Sequence, residues 1–250
     1  MFAKQKEINN SGTQMVHMTQ FYTYDFSATL DFKYVATMDI SSCVVIIIKN
    51  INNKKCQQFG MAHVNLANVF LSASGKENLQ EFLNQFKAIG GDLTTASVQL
   101  FGGLANDPNN VRVRIKQILQ EIVPNINIKE PVGYTNDIGN LMSIACDING
   151  TYIRKITIEN GKITKRDFNS NEAENLLSDE NINNIIFNDL IIRNIVYKKT
   201  SEFQQQINKL FQSGLSKNDP KYQQEEQNIA KNYCRMEANG INVIQQQNKI

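Results

Sequence analysis

At 250 residues the chain is long enough to bury a full core without help from disulfides or metals. Hydrophobic residues make up 41% and charged residues 20%, the proportions of an ordinary folded protein. Its 26 basic and 24 acidic residues leave a formal charge of +2 with no dense basic block, which excludes an electrostatic footprint for nucleic acid.

The first dozen residues lack the apolar stretch of a secretory signal, and the longest strongly apolar run, residues 44–48, is too short to cross a bilayer. The expectation is a soluble chain with no cleavable signal peptide and no membrane span. Residues 1–32 read as an N-terminal arm or strand, with an aromatic segment over residues 21–32. Residues 34–38 read as a strand. Cys43-Val44-Val45-Ile46-Ile47-Ile48 is a continuous β-branched run, the pattern of a central strand covered on both faces. The Asn- and Lys-rich residues 49–58 read as a loop leading into another strand over residues 59–66.

Leu79, Phe82, Leu83 and Phe86 recur at helical spacing and Gly90-Gly91 supplies a stop, so residues 75–89 read as an amphipathic helix. A strand over residues 93–101 ends in Gly102-Gly103. Pro108 then precedes a second helix with the stripe Val111, Ile115, Ile118, Leu119 and Ile122. Strands follow over residues 126–128, 141–148, 152–158 and 162–168, with Asn149-Gly150 and Asn160-Gly161 as hairpin turns. Strands and helices mix without a regular βαβ rhythm, which favours an α+β fold with mixed sheets. Beyond about residue 168 the chain turns rich in Asn, Gln, Glu and Lys. Phe203, Ile207, Leu210 and Phe211 keep helical spacing there, so residues 169–250 read as a helical C-terminal extension with a low-complexity end.

The four cysteines, Cys43, Cys56, Cys146 and Cys234, show no C-x-x-C spacing, and with only two histidines a zinc site is not expected. Cys43 follows the small turn Ile40-Ser41-Ser42 at the mouth of an apolar strand, where a side chain can be presented at a sheet end. A thiol placed there becomes a nucleophile only with a base beside it and a backbone N–H for the oxyanion. Without a base it is a small buried hydrophobe. His63 lies on the next apolar strand, and a hairpin brings it level with the Cys43 end. On its own, a histidine on such a strand is a satisfied core residue. Asp39 and Asp31 are candidate orienters of His63, each more often a solvated turn residue. His17 is expected at the surface, Cys56 in an exposed, oxidisable loop, and Cys146 and Cys234 in packing.

Thr37-Met38-Asp39-Ile40-Ser41-Ser42-Cys43-Val44-Val45 followed by Gly60-Met61-Ala62-His63 resembles the nucleophile and histidine motifs of CheD-type chemoreceptor glutamine deamidases. Cytotoxic necrotizing factors and Burkholderia lethal factor belong to the same superfamily. The resemblance extends to Phe101-Gly102-Gly103 and to the segment from Asp147 through Gly150 to Arg154, and covers residues 33–168. Ser41 or Ser42 stands where the family places glycine, Ala62 stands where it often has asparagine, and the Cys-to-His interval is longer.

The resemblance implies a layered β-sandwich of mixed sheets with helices on its outer faces. It also implies a Cys43, His63, Thr37 triad, with the backbone N–H groups of Ser42 and Cys43 holding the oxyanion and no cofactor or metal. The implied activity converts glutamine side chains of a protein substrate to glutamate through a thioester. Its setting is the bacterial cytoplasm, or a host cytosol entered as a translocated effector. A chemoreceptor deamidase, a transglutaminase and a non-catalytic binding module on the same fold are the alternatives.

Overall fold

A computed structural model describes residues 13–26, 33–104, 111–131, 140–182 and 190–238. These residues form an α+β fold with two mixed sheets and six helical segments. The expectations for Asp31, Pro108 and the Gln-rich end fall outside the described residues.

The strands are β1 (Thr13–Met15), β2 (Gln20–Asp25), β3 (Tyr34–Ile40), β4 (Val44–Asn52), β5 (Lys55–Val64), β6 (Ser97–Gly102), β7 (Asn127–Lys129), β8 (Asn140–Cys146), β9 (Thr151–Glu159), β10 (Lys162–Phe168) and β11 (Glu237–Ala238). A 3-10 turn (Ala67–Val69) leads into α1 (Ser72–Ala88). The other helices are α2 (Val111–Ile122), α3 (Asn171–Leu176), α4 (Leu190–Gln212) and α5 (Pro220–Tyr233). One sheet has the order β1-β3-β8-β9-β10 and the other β11-β2-β5-β4-β6-β7. The aromatic N-terminal segment is therefore a strand: β2 pairs antiparallel with β5.

The β-branched run takes the centre because each of its faces meets a different apolar layer. Val44, Ile46 and Ile48 pack with Leu79, Phe82, Leu83 and Phe86 of α1 and Ile115 and Leu119 of α2. Val45 and Ile47 face Val35, Met142, Ile144 and Ile153 of the other sheet. Burying side chains of this size stabilises by about 1.5–3 kcal/mol each, so the two apolar layers fix which face of β4 looks into the sandwich. Beyond the β3-containing sheet, Met38, Ala36 and Ala145 pack against Leu177 just after α3.

The stretch expected as a loop at residues 49–58 is instead the far end of the β4–β5 hairpin. Its turn is only Asn53-Lys54, both with positive φ (50° and 65°), as a two-residue hairpin turn demands. The polar composition that suggested a loop reflects strands that run past the core into solvent. Cys56, expected to be exposed, is buried, and its N–H donates to Ile148 O at 2.9 Å. The strand expected from residue 93 begins only at Ser97, because Asp92 closes a turn there with Thr94 N and Thr95 Oγ1.

The C-terminal segment docks on the body. Phe203, Ile207, Tyr222 and Cys234 bury with Ala67. The Asn78 amide donates to Cys234 O at 2.7 Å and to Asn68 O at 2.8 Å, while its oxygen accepts from Met236 N at 2.9 Å.

Candidate active site

Thr37 lies on β3, where side chains alternate between the interior of the sandwich and the α3 side. The β3–β8 register slips by one residue between Thr37 and Ile40. Such a bulge turns two residues of the same strand to one face. Ile40 consequently packs inside the sandwich, on the same side as Val35. The bulge ends β3 with the chain aimed back across the layer, through Ser41 and Ser42, to Cys43.

Gly102 and Gly103 shape the other side of this turn. Gly103 N–H donates to Cys43 O at 2.7 Å, which continues the β4–β6 ladder one step past Val44. Both glycines have positive φ (80° and 76°). A Cβ on Gly102 would lie 2.5 Å from Cys43 O and 2.6 Å from Ile40 Cγ2, so the Cys43 backbone sits directly on the glycine. Buried Arg112 of α2 donates to Gly102 O at 2.7 Å and Leu100 O at 3.2 Å, which fixes the end of β6. Sequence reading missed Arg112, since one arginine in an amphipathic helix gives no signal of its own.

His63 pairs with Val45 across the β4–β5 ladder. It shares the interior face of β5 with Phe59 and Met61. Cys43, two residues before Val45, is thus the diagonal neighbour of His63 on that face, a relation that spans about 7–8 Å between backbones. Thr37 reaches across from the facing sheet. Its Oγ1 lies 2.7 Å from His63 Nδ1, a hydrogen bond between buried groups. When Nδ1 carries the proton it donates to Thr37, and Nε2 presents its lone pair.

The structure therefore brings Thr37 and His63 into contact and sets Cys43 in the same layer, but no hydrogen bond joins Cys43 to His63. His63 Nε2 is buried without a hydrogen-bond partner. The Cys43 thiol instead donates to Met18 Sδ at 3.5 Å. The site is covered: Cys43 is 7% exposed and His63 2%. Burial pushes the thiol up to about 12, only partly opposed by the Ser42 side chain. Burial also pulls His63 down to about 3, helped by the nearby His17. Near neutral pH the pair rests as thiol and neutral imidazole, not as an ion pair.

The expectation of a surface His17 gives way to a half-buried residue in the β1–β2 turn that acts electrostatically on His63. Arg154 lies on the opposite face of its sheet from the site. It donates to Leu177 O at 2.8 Å and pairs with Asp179, tying β9 to the segment after α3. Cys146 and Cys234 are buried, each with its thiol pushed up to about 12 by burial.

Among the described residues no cluster of three or more His, Cys, Asp or Glu has a metal-binding arrangement, and no helix is long and apolar enough to cross a membrane. A groove of about 920 Å³ runs between α1 and the C-terminal segment, lined by Glu77, Glu81 and Arg235 among others, and does not include Cys43 or His63.

No protein-family model matches the chain, and no curated protein matches it. Among solved structures it is similar to the C-terminal domain of CNFy from Yersinia pseudotuberculosis, at 12% identity and a TM-score of 0.32. That overlap covers 62% of this chain and 60% of the CNFy domain chain, and at such distance it assigns neither fold nor chemistry.

Proposed function

We propose that the protein is a protein-glutamine deamidase in which Cys43 is the nucleophile, His63 its base and Thr37 the residue that orients the imidazole. What carries the reading is the 2.7 Å contact between Thr37 Oγ1 and His63 Nδ1, made across two sheets in the layer that also holds Cys43. The buried hydroxyl holds the ring by Nδ1, and in the tautomer whose Nδ1–H donates to Thr37, Nε2 is left as the proton acceptor, the arrangement a Cys-His pair needs. Burial keeps the imidazole unprotonated at neutral pH but weakens it as a base, so the transfer from Cys43 requires that the cover over the site first be withdrawn.

In this reading His63 Nε2 takes the Cys43 proton and the sulfur attacks the carboxamide carbon of a substrate glutamine. Backbone N–H groups of Ser42 and Cys43 hold the oxyanion. The C–N bond breaks, and the nitrogen leaves as ammonia with the proton from His63. Water activated by His63 then hydrolyses the thioester to glutamate and restores the thiol. The partner is a protein that exposes a glutamine. The setting that best suits an added C-terminal segment is an effector acting on a host protein, with a chemoreceptor deamidase as the alternative.

A non-catalytic binding module is the second reading, favoured by the cover over Cys43. One experiment separates the two. Wild type and Cys43→Ala are incubated with glutamine-bearing candidate proteins, and ammonia and intact mass are followed. Wild type should add about one dalton per converted glutamine, while Cys43→Ala, with an unchanged circular dichroism spectrum, should add none. Conversion by Cys43→Ala, or none by wild type on any glutamine substrate, rejects the deamidase.

A further inference from the structure

The β1–β2 turn has no part in the reaction just described, yet it touches each side of the site. Thr19 N–H donates to His63 O at 2.8 Å. His17 acts electrostatically on the His63 ring, and Met18 Sδ accepts the Cys43 thiol at 3.5 Å. Thr19 holds a positive φ of 67°, a strained conformation for a β-branched residue. The turn is also held from outside: Glu237 N–H donates to Thr19 O at 2.9 Å, and β11 pairs with β2. Lys199 Nζ lies 2.6 Å from Glu237 Oε1, which secures that strand to α4. A cavity of about 140 Å³ bordered by Thr19, Asn65, Lys199 and Glu237 remains at this junction, so the turn is latched without being tightly packed.

The identity of the covering residue matters. Methionine carries its sulfur at the δ position of an unbranched chain, the position at which glutamine carries its carboxamide carbon. A separation of 3.5 Å from the nucleophilic sulfur is also that of a near-attack pair, about 3–3.5 Å.

We propose that Met18 is an internal stand-in for the substrate glutamine, and that true substrates present their glutamine from a tight, exposed reverse turn that replaces the turn around Met18. The inference rests on the deamidase reading and specifies its substrate: a glutamine at the tip of a turn, not one within a helix or strand. Withdrawal of Met18 uncovers Cys43 and frees the thiol hydrogen for His63 Nε2. The C-terminal segment, through Glu237, sets how readily the turn withdraws.

Two variants test this. In Met18→Gln the turn itself delivers a carboxamide to Cys43. The variant should convert its own residue 18 to glutamate in cis, taking up water and releasing ammonia, with a gain of about one dalton that Cys43→Ala abolishes. In Met18→Ala the thiol is uncovered, and alkylation of Cys43 by iodoacetamide, read by peptide mass spectrometry, should be at least about tenfold faster than in wild type, while buried Cys146 stays slow. Unchanged Cys43 alkylation overturns the proposal whatever the reaction is, and so does equal acceleration at Cys146, which would report general opening. If Met18→Ala releases ammonia from a glutaminyl dipeptide but Met18→Gln does not convert itself, the stand-in is wrong and the deamidase stands. If Cys43 is selectively uncovered and neither glutamine reacts, the deamidase reading fails and the stand-in with it.

Discussion

Thr37 carries one hydroxyl into an apolar layer, and that hydroxyl meets the imidazole at 2.7 Å. A buried polar group left without its partner costs about 1–3 kcal/mol, so Thr37→Val should lower unfolding stability by that order while preserving side-chain shape. It should also release the ring to rotate away from Cys43, which lowers turnover. Thr37→Ser keeps the oxygen and should recover most of both losses. Denaturant unfolding and ammonia release measured side by side check this, and a Thr37→Val enzyme as active as wild type would remove Thr37 from the site. That Cys43 and His63 share one end of the β4–β5 hairpin was legible in the sequence, because the apolar runs set the pairing of the two strands; that their side chains make no hydrogen bond to each other was not. The cover was not legible. Nothing in His17-Met18-Thr19 announces that a short β1–β2 connection will fold over the end of β4, since that contact is set by the pairing of β2 with β5, more than thirty residues downstream in the sequence.

At the scale of elements, the apolar patterns of β4, α1 and α2 were readable because each repeats its period over a long run. What failed were elements whose composition and environment conflict. The tip of the β4–β5 hairpin is strand with loop composition, because no core lies beneath it to demand apolar residues. The Phe101-Gly102-Gly103 segment was legible as a pattern, and its physical meaning is a close backbone approach. Gly102 combines φ of 80° with Cys43 O at 2.5 Å from the missing Cβ, whereas Gly161 has φ of 74° and open space around it. Gly161→Ala should therefore cost about 1–2 kcal/mol, the conformational penalty of a left-handed residue alone. Gly102→Ala should cost more, and because the strain is relieved by moving Cys43 it should also reduce activity. Equal unfolding midpoints for the two variants would show that Gly102 does not support the Cys43 turn.

Across the whole molecule, the fold holds several ionisable groups neutral in its interior, and that fixes how stability responds to pH. The folded protein keeps His63 uncharged down to about 3, against an ordinary value of 6.5. Between those limits the unfolded chain binds a proton that the folded one refuses. This contribution to stability is complete above pH 6.5 and is lost as pH falls toward 3. The cysteines act in the opposite direction. Burial holds Cys43, Cys146 and Cys234 protonated to about 12 and Cys56 to about 11, against 9 in an exposed thiol. Here the unfolded chain loses protons first, so stability is complete below pH 9 and falls as pH rises beyond it. One displaced proton changes stability by about 1.4 kcal/mol per pH unit, so four thiols should make the alkaline limb steeper than the acid limb between pH 6.5 and about 4. Denaturant midpoints measured across this range should form a plateau between roughly pH 7 and 9. Cys43→Ala should flatten the alkaline limb by one proton and leave the acid limb alone, and His63→Gln should flatten the acid limb. An acid limb unchanged by His63→Gln would mean that the imidazole already meets water in the folded state, and with it that the site is open at rest.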